Sequence, residues 1–308
     1  LEVFREFKDY NGTEPLALSL GMFDGVHKGH QSIIQEINRI ADQKGLKSSI
    51  LTFWPHPRLV FNPDAGLKLL NTLDEKTELL GKFGIQLLFL KNFDEEFRNM
   101  YGADFIKEIL AGKLHVRYLI IGHDHVFGKN RSGNFKLLQE MGPEYGFEAE
   151  QMEVVNLHNN NISSTKIRNA LSEGRIEDAN EMLGYHYPVS GTVIHGAKIG
   201  RTLGFPTANI LTDPQKLLPK KGAYIVDVVL GSQKYQGMLS VGTNPTVDGT
   251  SLSVEVHILD FDKDIYGQPI TVQFRKFLHD EIKFQNLGKL IERLEEDRTL
   301  TRRFFVAN

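Results

Sequence analysis

A chain of 308 residues exceeds the usual size of one domain, so two are expected; 41% hydrophobic and 24% charged residues is the balance of an ordinary soluble globular protein with a sizeable core. The net charge of −3, with Lys and Arg dispersed, leaves no electrostatic footprint for nucleic acid, no apolar run approaches the roughly 18 residues of a membrane span, and no signal-like region opens the chain. Zero cysteines exclude disulfides, thiolate metal sites and cysteine nucleophiles, which fits a reducing cytoplasm.

In chain order, Leu16 to Leu20 reads as a buried strand. It runs into Gly21-Met22-Phe23-Asp24-Gly25-Val26-His27-Lys28-Gly29-His30, a glycine-rich turn that opens a helix near Gln31. Such a turn presents unpaired backbone N–H groups and the positive end of the helix dipole, a ready phosphate site. His27 and His30, three apart, would add imidazolium groups that hydrogen-bond phosphate oxygens and offset charge building up on phosphorus. The spacing fits neither the Walker loop nor the dinucleotide fingerprint and resembles the H-x-G-H signature of nucleotidyltransferases. A ligand-free turn with a surface histidine pair is the plain alternative.

Ile33, Ile34, Ile37, Ile40 and Ala41 share one face of the following helix, Gly45 stops it, and Ser49 to Phe53 forms the next strand. This β-α-β unit implies a parallel pair with ligands beyond the strands' carboxyl ends. Pro55-His56-Pro57 stands at such an end, where His56 either faces a ligand or merely caps a strand. Thr72 to Glu75 matches a capping box that opens a helix with Leu79, Leu80 and Phe83; strands at Ile85 to Leu90 and Val116 to Ile121 flank a helix around Ala103 to Leu110. The alternation is that of a doubly wound α/β sheet. The long polar loop Gly122 to Gly133 follows, with Asp124 able to accept hydrogen bonds from a substrate and Phe127 able to cover an aromatic ring.

A fifth strand is expected near Gln151 to Val155, then a helix opened by Ile162-Ser163-Ser164-Thr165-Lys166-Ile167-Arg168. The hydroxyls suit ordinary helix capping, and together with Lys166 and Arg168 they also suit a triphosphate clamp. Gly184 to Pro188 reads as a junction, giving domains of residues 1–184 and 185–308. Beyond it, short alternating runs at Val189 to Ile194, Ala223 to Leu230, Tyr235 to Val241, Ser253 to Ile258 and Ile270 to Phe274 argue for an antiparallel barrel or sandwich. Leu287, Leu290, Ile291 and Leu294 form one apolar helical stripe, expected to pack on it. Gly196, Gly200 and Gly204 would allow close approach to phosphates, with Lys198 and Arg201 supplying charge, while Thr207 and Asn209, two apart on an extended segment, offer two oxygens to Mg²⁺. A glycine-rich hairpin explains the same residues without a ligand. In Val254 to Ile258, Glu255 and His257 face away from the valines, on a surface strand or over a site.

The motifs GMFDGVHKGH, Pro-His-Pro, Phe127-Gly128 to Gly133, ISSTKIR, GRTLGFPTANI, Gly242 to Thr246 and Val254 to Phe261, in this order, resemble the bacterial bifunctional riboflavin kinase and FAD synthetase family along nearly the entire chain. The resemblance implies an N-terminal nucleotidyltransferase domain that adenylylates FMN with ATP to FAD. It further implies a C-terminal six-stranded barrel with a terminal helix that phosphorylates riboflavin to FMN. Carried over, His27 and His30 would serve the first reaction and Glu255 would activate the ribityl 5′-hydroxyl in the second. ATP and its phosphates would meet Gly21, Phe23, Asp24, Gly29, Ser164, Thr165 and Arg168 in the first half, and Gly196, Lys198, Gly200, Arg201 and Gly204 in the second. Flavin would meet His56, Asp124 and Phe127, and Mg²⁺ would meet Thr207 and Asn209. The family commonly has Arg where Leu278 is followed here by His279, which bears on closure over the isoalloxazine. The implied partners are small molecules, namely ATP, riboflavin and FMN, with no nucleic acid and no membrane. A different adenylyltransferase or cytidylyltransferase would share only the first motif. The other readings are a flavin storage protein, or a single-activity nucleotidyltransferase with a non-catalytic flavin-binding barrel.

Overall fold

The computed structural model describes the chain apart from residues 63–65, 124, 154–155, 158–159, 197–198, 247–248 and 308; for residues 156–157, 160, 199, 244–246 and 249–251 it describes the backbone alone. Packing divides the chain into two compact units, Leu1–Ser164 and Thr165–Asn308.

The first unit begins with β1 (Glu2–Phe4), β2 (Leu16–Leu20), α1 (Lys28–Lys44), β3 (Lys47–Phe53), α2 (Pro57–Phe61), α3 (Leu73–Lys82) and β4 (Leu87–Lys91). It continues through α4 (Glu95–Asn99), α5 (Gly102–Asp104) with a π-helical extension (Phe105–Ala111), β5 (Val116–Gly122), α6 (Phe135–Tyr145), β6 (Glu148–Met152) and a short pair, β7 (Asn156–Leu157) and β8 (Asn160–Asn161). The six-stranded sheet has the order β1-β4-β3-β2-β5-β6, with every neighbour parallel. Because β3 and β5 lie on opposite sides of β2, strand order reverses there, and the crevice beyond the carboxyl ends of β2 and β5 is where such sheets take ligands. Alternation sorts the core onto two faces: Leu16, Leu18 and Leu20 join one buried cluster, and Ala17 joins the other with Ile34, Ile37 and Ile40 of α1. Gly45, left-handed at φ 66°, ends α1 as its sequence suggests. The capping box at Thr72 forms in full, with Thr72 Oγ1 accepting from Glu75 N at 3.2 Å and Glu75 Oε2 from Thr72 N at 3.0 Å.

One expectation shifts and one helix is added. The edge strand is Glu148–Met152, three residues earlier than expected, with residues 154–155 outside the described set. Its Glu-Ala-Glu-Gln-Met sequence lacks an apolar run because only β5 flanks it. Helix α6, which the sequence reading leaves unassigned, packs Phe135, Leu138, Met141 and Tyr145 on the core, and Asn134 caps it through Leu137 N at 3.0 Å.

The second unit opens with helices α7 (Ser164–Ser172), whose first residue closes the first unit, and α8 (Ile176–Leu183). It then runs through β9 (Pro188–Ile194), α9 (Ile199–Thr202), β10 (Ala208–Thr212), β11 (Gly222–Leu230), β12 (Gln233–Thr246), β13 (Gly249–Ile258), β14 (Pro269–His279) and α10 (Leu287–Ala307). The strands close into an antiparallel barrel in the order β10-β13-β12-β11-β14-β9, with β9 pairing back onto β10. Val189, Val226, Val228, Val241, Val254, Val256 and Val272 are buried, as the alternating runs require. Asn180 of α8 donates to the Phe274 carbonyl at 2.9 Å and accepts from Tyr187 N at 2.8 Å, tying that helix to the barrel. Of the stripe expected on α10, Leu290, Ile291 and Leu294 are half-buried and Leu287 is 61% exposed; the buried Asp297 and Thr301 continue the same face, so polar as well as apolar groups seat this helix.

Candidate active sites

In the first unit the motif turn is strained and held from several sides. Phe23 and Val26 adopt φ of 47° and 33°, a region that costs a non-glycine residue energy, and Gly25 lies at 86°. The Met22 carbonyl accepts from Lys76 Nζ at 2.8 Å and from Thr52 Oγ1 at 3.3 Å. Asp24 Oδ1 accepts from Leu70 N at 3.0 Å and Asn71 N at 3.3 Å, the Asp24 carbonyl accepts from Ser164 Oγ at 2.9 Å, and the Val26 carbonyl accepts from Gln31 Nε2 at 2.7 Å. The turn delivers His27, directly before α1, onto His30 in its first turn. The rings stack with centroids 3.7 Å apart and planes 16° apart. Gly29 makes room, since a Cβ there would stand 3.2 Å from the His27 ring. Phe23, fully buried, lies 5.0 Å from the His30 ring and packs beside Gly21, whose N–H donates to the Leu51 carbonyl.

Both histidine Nδ1 atoms are buried without a hydrogen-bond partner among the described residues. Burial pushes His27 down to about 4, opposed by Asp24; it pushes His30 well below the ordinary value, and His27 and Lys76 add to that fall. The free chain therefore carries two neutral imidazoles at neutral pH, not the imidazolium pair suggested by the motif alone. Asp24, likewise, is buried with its carboxylate engaged by two backbone amides, and the donor of Ser164 is committed to the turn. Thr165 is exposed and Arg168 half-buried on the first turns of α7. His56 caps α2, its Nδ1 accepting from Arg58 N at 3.1 Å. Phe127 is half-buried, 5.5 Å from the Phe105 ring, and pairs through its backbone with Gly133. Asp124 lies outside the described residues. Beside that loop is a hollow of about 550 Å³ bordered by His123, His125, Arg131, Lys136 and Gln151.

In the second unit the geometry is open and built of oxygens. Asn209 of β10 stands opposite Glu255 of β13 in register, and Thr207 Oγ1 donates to Glu255 Oε2 at 3.3 Å. Glycine at 196 leaves room for the Asn209 amide, since a Cβ would lie 2.2 Å from Asn209 Nδ2 and displace that side chain. Gly200 packs on the Phe205 carbonyl, Gly204 takes φ 81°, and Arg201 is exposed on α9; Lys198 lies outside the described residues. A cavity of about 550 Å³ adjoins this group, lined by Arg201, Thr207, Val256, Phe261, Lys263 and Tyr266 among others. At the end of β14, His279 Nε2 lies 2.9 Å from Asp297 Oδ2, and Arg293 reaches both, with Nε 3.0 Å from His279 Nε2 and Nη2 3.0 Å from Asp297 Oδ1.

Residues 10–166 match the FAD synthetase family model and residues 183–305 match the riboflavin kinase model. A bifunctional riboflavin kinase/FMN adenylyltransferase of Listeria monocytogenes is 40% identical over 290 residues, covering 94% of this chain and 92% of that protein. The chain belongs to the bifunctional riboflavin kinase/FMN adenylyltransferase family. The family member from Escherichia coli is 36% identical over 293 residues, covering 95% of this chain and 93% of that one. A crystal structure described as a macrolide-efflux protein from Streptococcus pneumoniae shares the fold with a TM-score of 0.89 at 30% identity, over 97% of this chain and 98% of that one. No described helix of this chain is long and apolar enough to cross a membrane.

As a riboflavin kinase/FMN adenylyltransferase, the chain contains site features that its motifs did not disclose. Lys76, Thr52 and the amides of Leu70 and Asn71 hold the first motif from distant parts of the chain. Residues 262–266, which border the barrel cavity, carried no motif. Lys76 did leave a trace: it falls in phase with Leu73 and Leu80, on the helix face that goes into the core.

Proposed function

We propose that the two activities of this family use two separate ATP sites, each built within its own half of the chain, residues 1–184 for FMN adenylylation and residues 185–308 for riboflavin phosphorylation. What supports this is that each half has its own phosphate-handling group, the stacked His27–His30 pair on a strained turn and the Thr207, Asn209 and Glu255 group beside a cavity.

In the first reaction the FMN phosphate attacks the α-phosphorus of ATP and pyrophosphate leaves. The backbone of Gly21 to Gly29 and the imidazoles of His27 and His30 receive the triphosphate; adjacent negative charge raises each imidazole's affinity for a proton, so positive charge grows where the transition state needs it. Thr165 and Arg168 extend the clamp; Ser164, Phe23 and Asp24 shape the turn, and His56, Asp124 and Phe127 meet the flavin. In the second reaction Glu255 takes the proton of the riboflavin 5′-hydroxyl as that oxygen attacks the γ-phosphorus and ADP leaves. Gly196, Lys198, Gly200, Arg201 and Gly204 follow the ATP phosphates. The close-set hydroxyl, amide and carboxylate oxygens of Thr207, Asn209 and Glu255 are the hard donors that suit Mg²⁺. Thr207 and Asn209 would hold it, and when bound it would neutralise phosphate charge. The lack of cysteine fits function in a reducing cytoplasm.

A product time course from riboflavin, ATP and Mg²⁺ tests the assignment. FMN should appear first and FAD after a lag, and chelating the metal should abolish FMN formation. Unchanged riboflavin in the presence of the metal would refute the reading.

A further inference from the structure

Lys76 is 2% exposed in α3, with its ammonium on the Met22 carbonyl and 5.4 Å from the centre of the Trp54 ring. Enclosing an ammonium is costly, and a methionine or leucine would fill the same space without that cost. Nor does the hydrogen bond alone account for the charge, since Thr52 Oγ1 already donates to the same carbonyl. The titratable groups that act on the ammonium or feel it are Asp24 on the motif turn and His30 on α1. Glu75, next to it on α3, is engaged with Thr72, and β3 and its end offer Thr52 and Trp54, which do not titrate.

We propose that Lys76 is a positioning residue for adenylyl transfer: it fixes the Met22 carbonyl, and with it the strained turn that carries His27 and His30, and it sets a positive charge within range of His30 that favours a polyphosphate on the turn. The proposal rests on the reading that His27 and His30 receive the triphosphate. Burial pulls the Lys76 ammonium down to about 8, opposed by Asp24, so its charge is lost just above neutrality. The same charge is one cause of the fall at His30.

The test uses the full chain with Lys76→Met and Lys76→Arg, following histidine ring resonances of the free protein by NMR together with both activities across pH. In wild type, kcat/KM for ATP in FAD formation should fall above a limb near pH 8. Lys76→Met should lower that kcat/KM about a hundredfold through misplacement of the turn, abolish the limb, and move the His30 titration to higher pH. Riboflavin phosphorylation by the same protein should be unchanged. Lys76→Arg should keep much of the activity and carry the limb to higher pH. An unshifted His30 titration with the limb retained in Lys76→Met would overturn the proposal, leaving a structural strut, as would undiminished FAD formation in that variant. His30→Ala run in parallel isolates the underlying reading: if FAD formation survives it while the NMR shift in Lys76→Met is seen, the motif assignment is what fails, and the positioning role falls with it.

Discussion

In the first unit the histidine pair proposed to handle phosphate is enclosed, nitrogen-based and neutral in the free chain; in the second the proposed site centres on half-exposed oxygen-bearing side chains, Thr207, Asn209 and Glu255, beside an open cavity. The first needs a strained turn braced by Lys76, Asp24, Thr52 and Ser164, whereas the second needs two neighbouring strands in register and a glycine that leaves room for an amide. The contrast follows from what each fold offers. A parallel sheet ends in turns that feed helix N-termini, so backbone N–H groups and nearby rings are at hand. A small antiparallel barrel instead offers alternating side chains on its strands, which suits a set of oxygen donors around a metal.

The sharpest break in this contrast comes from His30→Ala. Loss of one preorganised donor to developing charge should lower FAD formation about a hundredfold to a thousandfold, measured from FMN and ATP, with riboflavin phosphorylation unaffected. A parallel loss of both activities in folded protein would mean that the sites are not separate.

Acid should also distinguish the two units. The His27 ring stays unprotonated down to about 4, whereas the unfolded chain takes up that proton near 6.5, so the stabilising difference is complete above 6.5 and is lost as pH falls to 4. For His27 alone this is about 3 kcal/mol, with His30 acting in the same direction. Denaturant titrations between pH 7 and 4.5, followed by fluorescence of Trp54, the only tryptophan and a residue of the first unit, should show the loss. His27→Gln should shrink the loss by the His27 share and leave the part due to His30.

The barrel site should respond in the other activity. Glu255→Gln keeps shape and removes the proposed base, so riboflavin phosphorylation should drop about a hundredfold while FAD formation from supplied FMN stays near normal. The smallest effect is expected from Gly196→Ala. Its Cβ would displace the Asn209 amide, so the KM for Mg·ATP in the kinase reaction should rise about tenfold, with a smaller change in kcat and an unchanged adenylyltransferase.

Much of this arrangement was legible in the chain because local rules and tertiary needs agree there. Leu16 to Leu20, the α1 stripe ended by Gly45, the Thr72 capping box and the Glu255 alternation each obey one short-range rule, and each is found in the fold. What stayed hidden depends on residues far apart in sequence. Lys76 is 54 residues from Met22, and Asp24 is 46 from Leu70. The neutrality of His27 and His30 is a property of enclosure, which no motif states. On α10 the apolar stripe gives only part of the buried face: Asp297, three residues beyond Leu294, meets His279 from β14 and Arg293 from its own helix. The contact of Arg293 with His279 is likewise visible only once strand and helix are brought together.

Mixing two full-length variants tests most directly whether one chain carries two independent ATP sites. His30→Ala should convert riboflavin to FMN and stop, and Glu255→Gln should leave riboflavin unchanged but adenylylate added FMN. Combined with riboflavin, ATP and Mg²⁺, they should restore FAD synthesis, with free FMN passing from one protein to the other. A mixture that accumulates FMN without FAD, although Glu255→Gln accepts added FMN, or one that leaves riboflavin untouched, would contradict two separable sites.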